Sequence, residues 1–367
     1  MRVGTVLLLS YYVLFGLSNA FIASLLMGIV TISDFGIKKS FMNGVLWLLP
    51  SIGHIVSPFL YAYRNRKWWI LELFSMICSQ ILIVIYWDKL MRMSALSIIS
   101  LVIILFAIVK DYFISQIEKE IAILISCAGT TGTALNESTI EQLPSPVQRW
   151  IRRCGIIGKK SIQCVHLKQD FTAKLERNQI SWKVGESDQY ITQEPPSFIT
   201  SSDIQYNPFV FLIGKEKFSQ GKGVLMQKIL AMFKYMDLNN NKYFDESLAQ
   251  KYLADIIWCP SAALSKYIKW IPIDDYSAEA VFLFDQVSGS GIFEFDSDGN
   301  PKRFKCNRYF RDGISMTKKQ WMLDIQEYAA FDGLLVPLAF NYTWRLDDGD
   351  WLHQRMRIND ASFSYEA

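Results

Sequence analysis

Charge is what this sequence has least of. Lys, Arg, Asp and Glu make up 20% of its 367 residues, against about 25% in an ordinary soluble domain. With 51% hydrophobic residues and a mean hydropathy of +0.15, a disordered chain is excluded. Histidine is scarcer still. Only His54, His166 and His353 occur, and with His54 in an apolar stretch a three-histidine or His/Cys metal cluster is poorly supplied. The six cysteines, Cys78, Cys127, Cys154, Cys164, Cys259 and Cys306, never form a CxxC pair, which excludes zinc ribbons and thioredoxin-type motifs. Scattered thiols fit a reducing compartment better than a disulfide framework. Gly221-Lys222-Gly223 lacks the spacing of a phosphate loop, and no GxSxG elbow appears. No catalytic constellation, no cofactor and no metal is implied.

The shortage of charge is greatest in the first third, where ten basic and six acidic residues precede Cys127. From Val3 to Ser33 only tyrosine is ionisable. Crossing a hydrocarbon core of about 30 Å takes about 20 helical residues, and residues 5–30 suffice. A cleaved signal peptide has an apolar core of only about 7–15 residues and a small-residue cleavage site. This run is longer and lacks that site, so it predicts a retained helix. Residues 41–63 form a second candidate, with Pro50 and Pro58 tolerable where neighbouring helices support the break. Residues 68–87, with Trp68, Trp69 and Trp87 at the ends, suit interfacial aromatic anchors. Residues 95 to about 114 form the fourth.

Four spans put the N-terminus, the Arg64–Lys67 loop and everything after Ile114 on one side. Arg2, Arg64, Arg66, Lys67 and Lys119 lie there, against Lys38, Lys39, Lys89 and Arg92 on the other. The excess points to a cytoplasmic N-terminus and C-terminal domain. Within the spans His54 and Glu72 stand out, because ionisable groups at membrane depth are costly. Glu72 lies one turn from Trp68, near enough to reach the interface. His54 can satisfy itself on a neighbouring helix.

The domain expectation is 1–115 for the helices, 116–142 for a helical extension and linker, and 143–367 for a β-rich domain. The stretch 127–138 is small and polar, as a linker requires. Residues 143–155 read as a helix entered through Pro144 and Pro146 and ended by Gly155. Short strands follow at 162–175, 179–190, 197–204, 209–218 and 223–234. Others follow at 267–273, 278–285, 291–295, 303–309, 320–330, 335–346 and 353–363. Pro195-Pro196, Asp298-Gly299, Asp332-Gly333 and Asp348-Gly349 punctuate them as turns. One helix, 245–258, has Asp245 as N-cap and a Leu248, Tyr252, Ile256 stripe. The expected fold is a four-helix transmembrane bundle plus an α+β domain. In the latter, a curved antiparallel sheet or half-barrel wraps one or two helices.

Asp237, Asn239, Asn241 and Asp245 have the spacing of calcium-loop ligands. Lys242 and Leu248 stand where that loop needs Gly and a bidentate Glu, so a polar loop is expected. Beyond Ser126 the basic and acidic residues nearly balance, leaving no electrostatic footprint for nucleic acid.

The blocks LPSPVQRWI…GIIGKK (143–160), GKEKFSQGKGVLMQK (214–228), KYLADIIWCPSAALSKYIKWIPID (251–274) and FEFDSDGNPKRFKCNRYF (293–310), with Trp321, Gly333, Pro337 and Trp344, resemble an uncharacterised bacterial membrane-protein family, a domain of unknown function. The resemblance runs from Leu143 to the C-terminus and implies N-terminal spans and a β-domain similar to lipoprotein-carrier half-barrels. Lys251, Asp255 and Cys259 stand where such relatives tend to have Arg, Glu and Phe. Besides the bilayer, the expected partner is an apolar or lipid-like ligand lined by Trp182, Phe198, Met226, Tyr252, Trp258 and Trp270, with Asp255 and Arg308 adding polar contacts. Each aromatic suits core packing equally well. A membrane-bound enzyme using Asp255, Arg308 and Tyr309 is the alternative. A scaffold whose spans meet other membrane proteins is the third reading; no particular protein partner is implied.

Overall fold

The computed structural model describes residues 3–31, 39–129, 134–208, 210–312 and 315–365. Arg2 and Lys38 of the charge count and residues 130–133 of the linker lie outside them. The chain forms two compact units, one built on Met1–Ser115 and the other on Gln116–Tyr206, Phe211–Ile229 and Phe233–Ala367.

In the first unit α1 (Val3–Met27) has no charge and no proline, and Gly28, at φ +77°, ends it three residues before the expected limit. α2 (Phe41–Ala62) continues through Pro50 and Pro58. α3 (Trp68–Ile85) is followed by the single turn α4 (Trp87–Leu90), and α5 runs from Ser94 to Ser126. No glycine or proline interrupts α5, so the span and the helical extension form one helix of 33 residues. Asp111 does not break it, because Lys67 and Arg66 both pair with its carboxylate at 2.5 Å. All four long helices are long and apolar enough to cross a membrane. Leu14, Ile52, Phe74 and Ile98 face outward, while His54, Ser57, Glu72 and Ser79 are buried. Glycines bring the helices close. A Cβ on Gly16 would lie 2.9 Å from the Ser51 carbonyl, and one on Gly53 would lie 1.8 Å from Ser75 Oγ.

The second unit opens with α6 (Glu137–Ile140) and α7 (Ser145–Arg153), which bury Ile140, Val147, Trp150 and Ile151. Six strands follow: β1 (Ile162–Ala173), β2 (Lys183–Thr192), β3 (Ser197–Gln205), β4 (Phe211–Ser219), β5 (Lys222–Ile229) and β6 (Phe233–Leu238). After α8 (Lys242–Asp255) come seven more: β7 (Ile268–Asp274), β8 (Ser277–Phe284), β9 (Val287–Phe295), β10 (Pro301–Asp312), β11 (Ser315–Phe331), β12 (Leu334–Leu346) and β13 (Gly349–Tyr365). The stretch expected as one strand over 223–234 is two, because Leu230 and Ala231 turn the chain at φ 54° and 59°. The N-cap of α8 is Asn241, whose side chain accepts the Tyr243 and Phe244 amides. Asp245 lies inside the helix and accepts the Gly223 amide at 2.7 Å instead.

All thirteen strands form one sheet, in the order β6-β5-β4-β3-β2-β1-β13-β12-β11-β10-β9-β8-β7, each neighbouring pair antiparallel. The chain leaves one edge at β6, makes α8, and enters the opposite edge at β7. On a flat sheet those edges would be about 58 Å apart at about 4.8 Å per strand, yet α8 bonds to strands of both wings. The sheet therefore curls. Gln250 on α8 donates to the Ser290 and Asn307 carbonyls at 3.4 and 3.0 Å, and Tyr252 donates to the Thr192 carbonyl at 3.2 Å. Every residue from Ser247 to Asp255 is buried, as it must be when a sheet encloses a helix. Phe218 of β4 and Phe282 of β8 meet edge to face, ring centroids 6.0 Å apart. The result is the expected half-barrel, its core built from the concave face, α7 and α8.

Candidate functional site

Alternation along each strand assigns the concave face. Phe198, Ile191, Val165 and Phe218 point inward into the core. Two residues further along β2, β3 and β4 the inward positions are polar, while β1 places Leu167 there. Glu216 pairs across the ladder with Thr200, and Thr200 with Gln189. Ser187 stands opposite Gln169 on the next row. A polar belt therefore crosses an otherwise apolar interior. Its hydrogen bonds run in one direction. Ser187 donates to Gln169 at 3.1 Å, Gln169 to Gln189 at 3.1 Å, and Gln189 to Asp255 Oδ2 at 2.6 Å. Lys251, one turn before Asp255 on α8, donates to the same oxygen at 2.7 Å.

Asp255 is fully buried, and among the described residues its other oxygen, Oδ1, has no hydrogen-bond partner. Burial raises its carboxyl above the usual carboxylate range, against the opposing effect of Lys251 and Gln189. Thr200 Oγ1 is likewise buried and unpartnered. Glu216 lies between two cations, 3.8 Å from Lys251 Nζ and 3.9 Å from Arg308 Nη2. Arg308 comes from β10, so this contact joins the two wings of the sheet. Each cation also covers an aromatic ring, Lys251 over Phe198 at 4.3 Å and Arg308 over Trp321 at 4.9 Å. The side chains of Glu216, Lys251 and Arg308 keep 22%, 11% and 11% of their surface exposed, so the cluster is reached from outside.

The facing wall is aromatic. Trp321 stacks on Tyr342 at 4.9 Å, Tyr342 on His353 at 6.2 Å, and Trp351 lies 5.4 Å from His353. His353 Nε2 and Trp351 Nε1 are enclosed without partners. Burial, reinforced by the charge of Arg308, lowers the His353 imidazole to about 3, so the ring is neutral at physiological pH. Buried Cys306 and Cys259 are pushed up to about 12, which leaves thiols rather than nucleophilic thiolates.

Asp255 and Arg308 thus enter one cluster. Tyr309, next to Arg308 on the strand, points to the opposite face and packs 4.7 Å from Tyr243. Phe198, Tyr252 and Trp258 are closed core residues, with Trp258 donating to the Pro337 carbonyl at 3.0 Å. Trp270 ties β7 to the Ala263 carbonyl at 2.9 Å. Met226 pairs with Lys215 on the outward face, where Lys215 holds Glu120 of α5 at 2.5 Å. Trp182 lies under Lys174 and Arg355, which alternate with the inward Phe171 and Met356 and so belong to the outer face. The site residues that sequence reasoning missed are Glu216, Thr200, Gln189, Gln169, Tyr342 and His353. Their signal was polarity at every second position of strands whose remaining inward residues are apolar.

A second buried polar cluster lies in the helical unit. His54 Nδ1 is 2.6 Å from Glu72 Oε1, His54 Nε2 is 3.0 Å from Ser79 Oγ, and Ser57 donates to Glu72 Oε2. Asn19 joins through Ser79 at 3.4 Å and donates to the Phe15 carbonyl at 2.9 Å. Glu72 is fully buried, which corrects the expectation that it reaches an interface: His54 and Ser57 hold its carboxylate between helices. Tyr12, its ring 6.5 Å from that of His54, has a buried hydroxyl without a partner. Among the described residues no His, Cys, Asp and Glu side chains group as a metal site.

No curated protein matches the sequence. Among solved structures, a LolA superfamily protein from Nitrosomonas europaea aligns at a TM-score of 0.35 and 8% identity, covering 61% of this chain and 94% of its own. A beta-barrel-like protein of a domain of unknown function, DUF1849, from Brucella abortus aligns at a TM-score of 0.23 and 7% identity, covering 56% of this chain and 99% of its own. Both scores are low, and the half-barrel assignment rests on the sheet order and the enclosed helix. Residues 141–363 match a family of unknown function, DUF6920, over the blocks quoted above. The chain belongs to that family.

Proposed function

We propose that the β-rich unit is a membrane-tethered binding module whose concave interior takes an amphipathic, lipid-like ligand. The observation that carries this reading is a set of buried polar atoms without partners, Asp255 Oδ1, Thr200 Oγ1, His353 Nε2 and Trp351 Nε1, beside an aromatic wall. A buried polar atom left unpaired costs about 1–3 kcal/mol, and four around one interior are a cost that a ligand with a polar head offsets. The apolar part of that ligand lies along Trp321 and Tyr342. Four helices long enough to cross a membrane keep the module where such ligands are concentrated.

The test is to purify the full-length protein from membranes in a mild detergent and to extract it for mass spectrometry. About one amphiphile per chain is expected, and loss of it in a Tyr342→Ala variant. A preparation that carries no amphiphile beyond what this variant carries would end the reading.

A further inference from the structure

Resting on that reading, we infer that the polar head of the ligand is an oxyanion, a phosphate ester or carboxylate, seated between Arg308 and Lys251 in the place where Glu216 now stands. Arg308 carries five N–H donors in a planar fork suited to carboxylate or phosphate. Among the described residues its guanidinium makes no hydrogen bond. The carboxylate it faces, Glu216 Oε1, stands 3.9 Å away, beyond hydrogen-bonding range. Its side chain is 11% exposed and its guanidinium lies over Trp321, so the cation contacts the ring while its donor edge has no hydrogen-bond partner among the described residues.

Lys251 repeats the pattern. Only Asp255 Oδ2 accepts from it at close range, and Glu216 stands off at 3.8 Å. A carboxylate that faces two cations and closes on neither is a loose occupant, since charge-assisted N–H···O bonds settle near 2.7–2.9 Å. Glu216 is anchored on β4, and Arg308 on the other wing of the sheet. It therefore cannot approach both cations without moving one wing. A free oxyanion has no such restraint. It would accept from the Arg308 fork and from Lys251 together, and it would displace Glu216 by like-charge repulsion. Thr200, beside Glu216 on the ladder, offers its unpartnered hydroxyl to the same head.

The prediction has opposite signs at neighbouring residues. Full-length protein in nonionic detergent is titrated with dodecyl phosphate, dodecanoate, dodecanol or inorganic phosphate, and binding is read from tryptophan fluorescence. Dodecyl phosphate and dodecanoate are expected to bind at least tenfold tighter than dodecanol at equal mole fraction in the micelle. Arg308→Gln should remove that preference, and Glu216→Gln should strengthen oxyanion binding several-fold. Should Arg308→Gln fail to fold, Arg308→Lys replaces it, with a partial loss expected because the charge stays and the fork is gone.

Equal binding of dodecanol and dodecyl phosphate, unmoved by either variant, overturns the oxyanion head and leaves the binding module standing. Failure of all three amphiphiles to bind overturns both. Inorganic phosphate binding as tightly as dodecyl phosphate, with loss in Arg308→Gln, supports the oxyanion site and overturns the lipid as its source.

Discussion

Two regions of this protein bury charged side chains, and they do so in opposite ways. In the helical unit both ring nitrogens of His54 and both oxygens of Glu72 have a partner at bonding distance. In the half-barrel Asp255 leaves an oxygen unpartnered, and Arg308 and Lys251 meet Glu216 only at 3.8–3.9 Å. Burial is common to both; the pairing of the ionisable atoms is not, although Tyr12 beside His54 also leaves a buried hydroxyl without a partner among the described residues. A completed cluster fixes how helices pack, because every alternative arrangement breaks a bond. An incomplete one retains bonding capacity for something else. The first reads as structural and the second as a site.

Removing one partner from the completed cluster gives the largest effect. Glu72→Gln should cost about 3–5 kcal/mol, since it leaves a buried partner uncompensated. Thermal unfolding in detergent measures it, and the double change His54→Leu/Glu72→Leu should recover most of the loss. A Glu72→Gln protein as stable as the parent would erase the distinction between the two regions.

The half-barrel responds to pH through His353. Its folded imidazole, lowered to about 3, binds a proton less readily than the unfolded one, near 6.5. Its contribution is therefore complete above pH 6.5 and is lost as pH falls toward 3. Between pH 7 and pH 5 the loss is about 2 kcal/mol, and His353→Gln should flatten the dependence. Asp255 works the other way. Its raised carboxyl gains stability from protonation as pH falls through its folded value, so Asp255→Asn should remove an opposing slope.

Ser57→Ala should cost about 1.5–3 kcal/mol, the size of a hydrogen bond to a charged group. Thr200→Val is the smallest change and the sharpest contrast. With no partner to lose, it should leave the ligand-free protein unchanged or about 1 kcal/mol more stable in denaturant unfolding, while weakening ligand binding. A loss as large as that of Ser57→Ala would show the half-barrel cluster to be as complete as the helical one.

The spans were legible because length without charge is a one-dimensional property. Their ends were less so. The end of α1 depended on Gly28, and Asp111 within α5 is neutralised by Arg66 and Lys67 from the turn before α3. Strands were legible from their turns, except at Leu230 and Ala231, where ordinary apolar residues take a left-handed turn. At the site, Asp255 and Arg308 were found because they sit in recognisable blocks. Gln189, Thr200 and Glu216 were passed over because a polar residue in an alternating strand ordinarily marks the wet face. Here the enclosed helix supplies polar partners on the inside, and the usual rule inverts.

The sequence by itself determined the chemistry available: four long apolar stretches with few or no charges, many short strands with turn residues between them, and one helix linking two groups of strands. Only the tertiary structure decided which charges meet. Glu216 and Arg308 are 92 positions apart and approach because the sheet curls until its wings face each other across α8. That curl is seen in α8 bonding to strands of both wings, and no local run of residues records it.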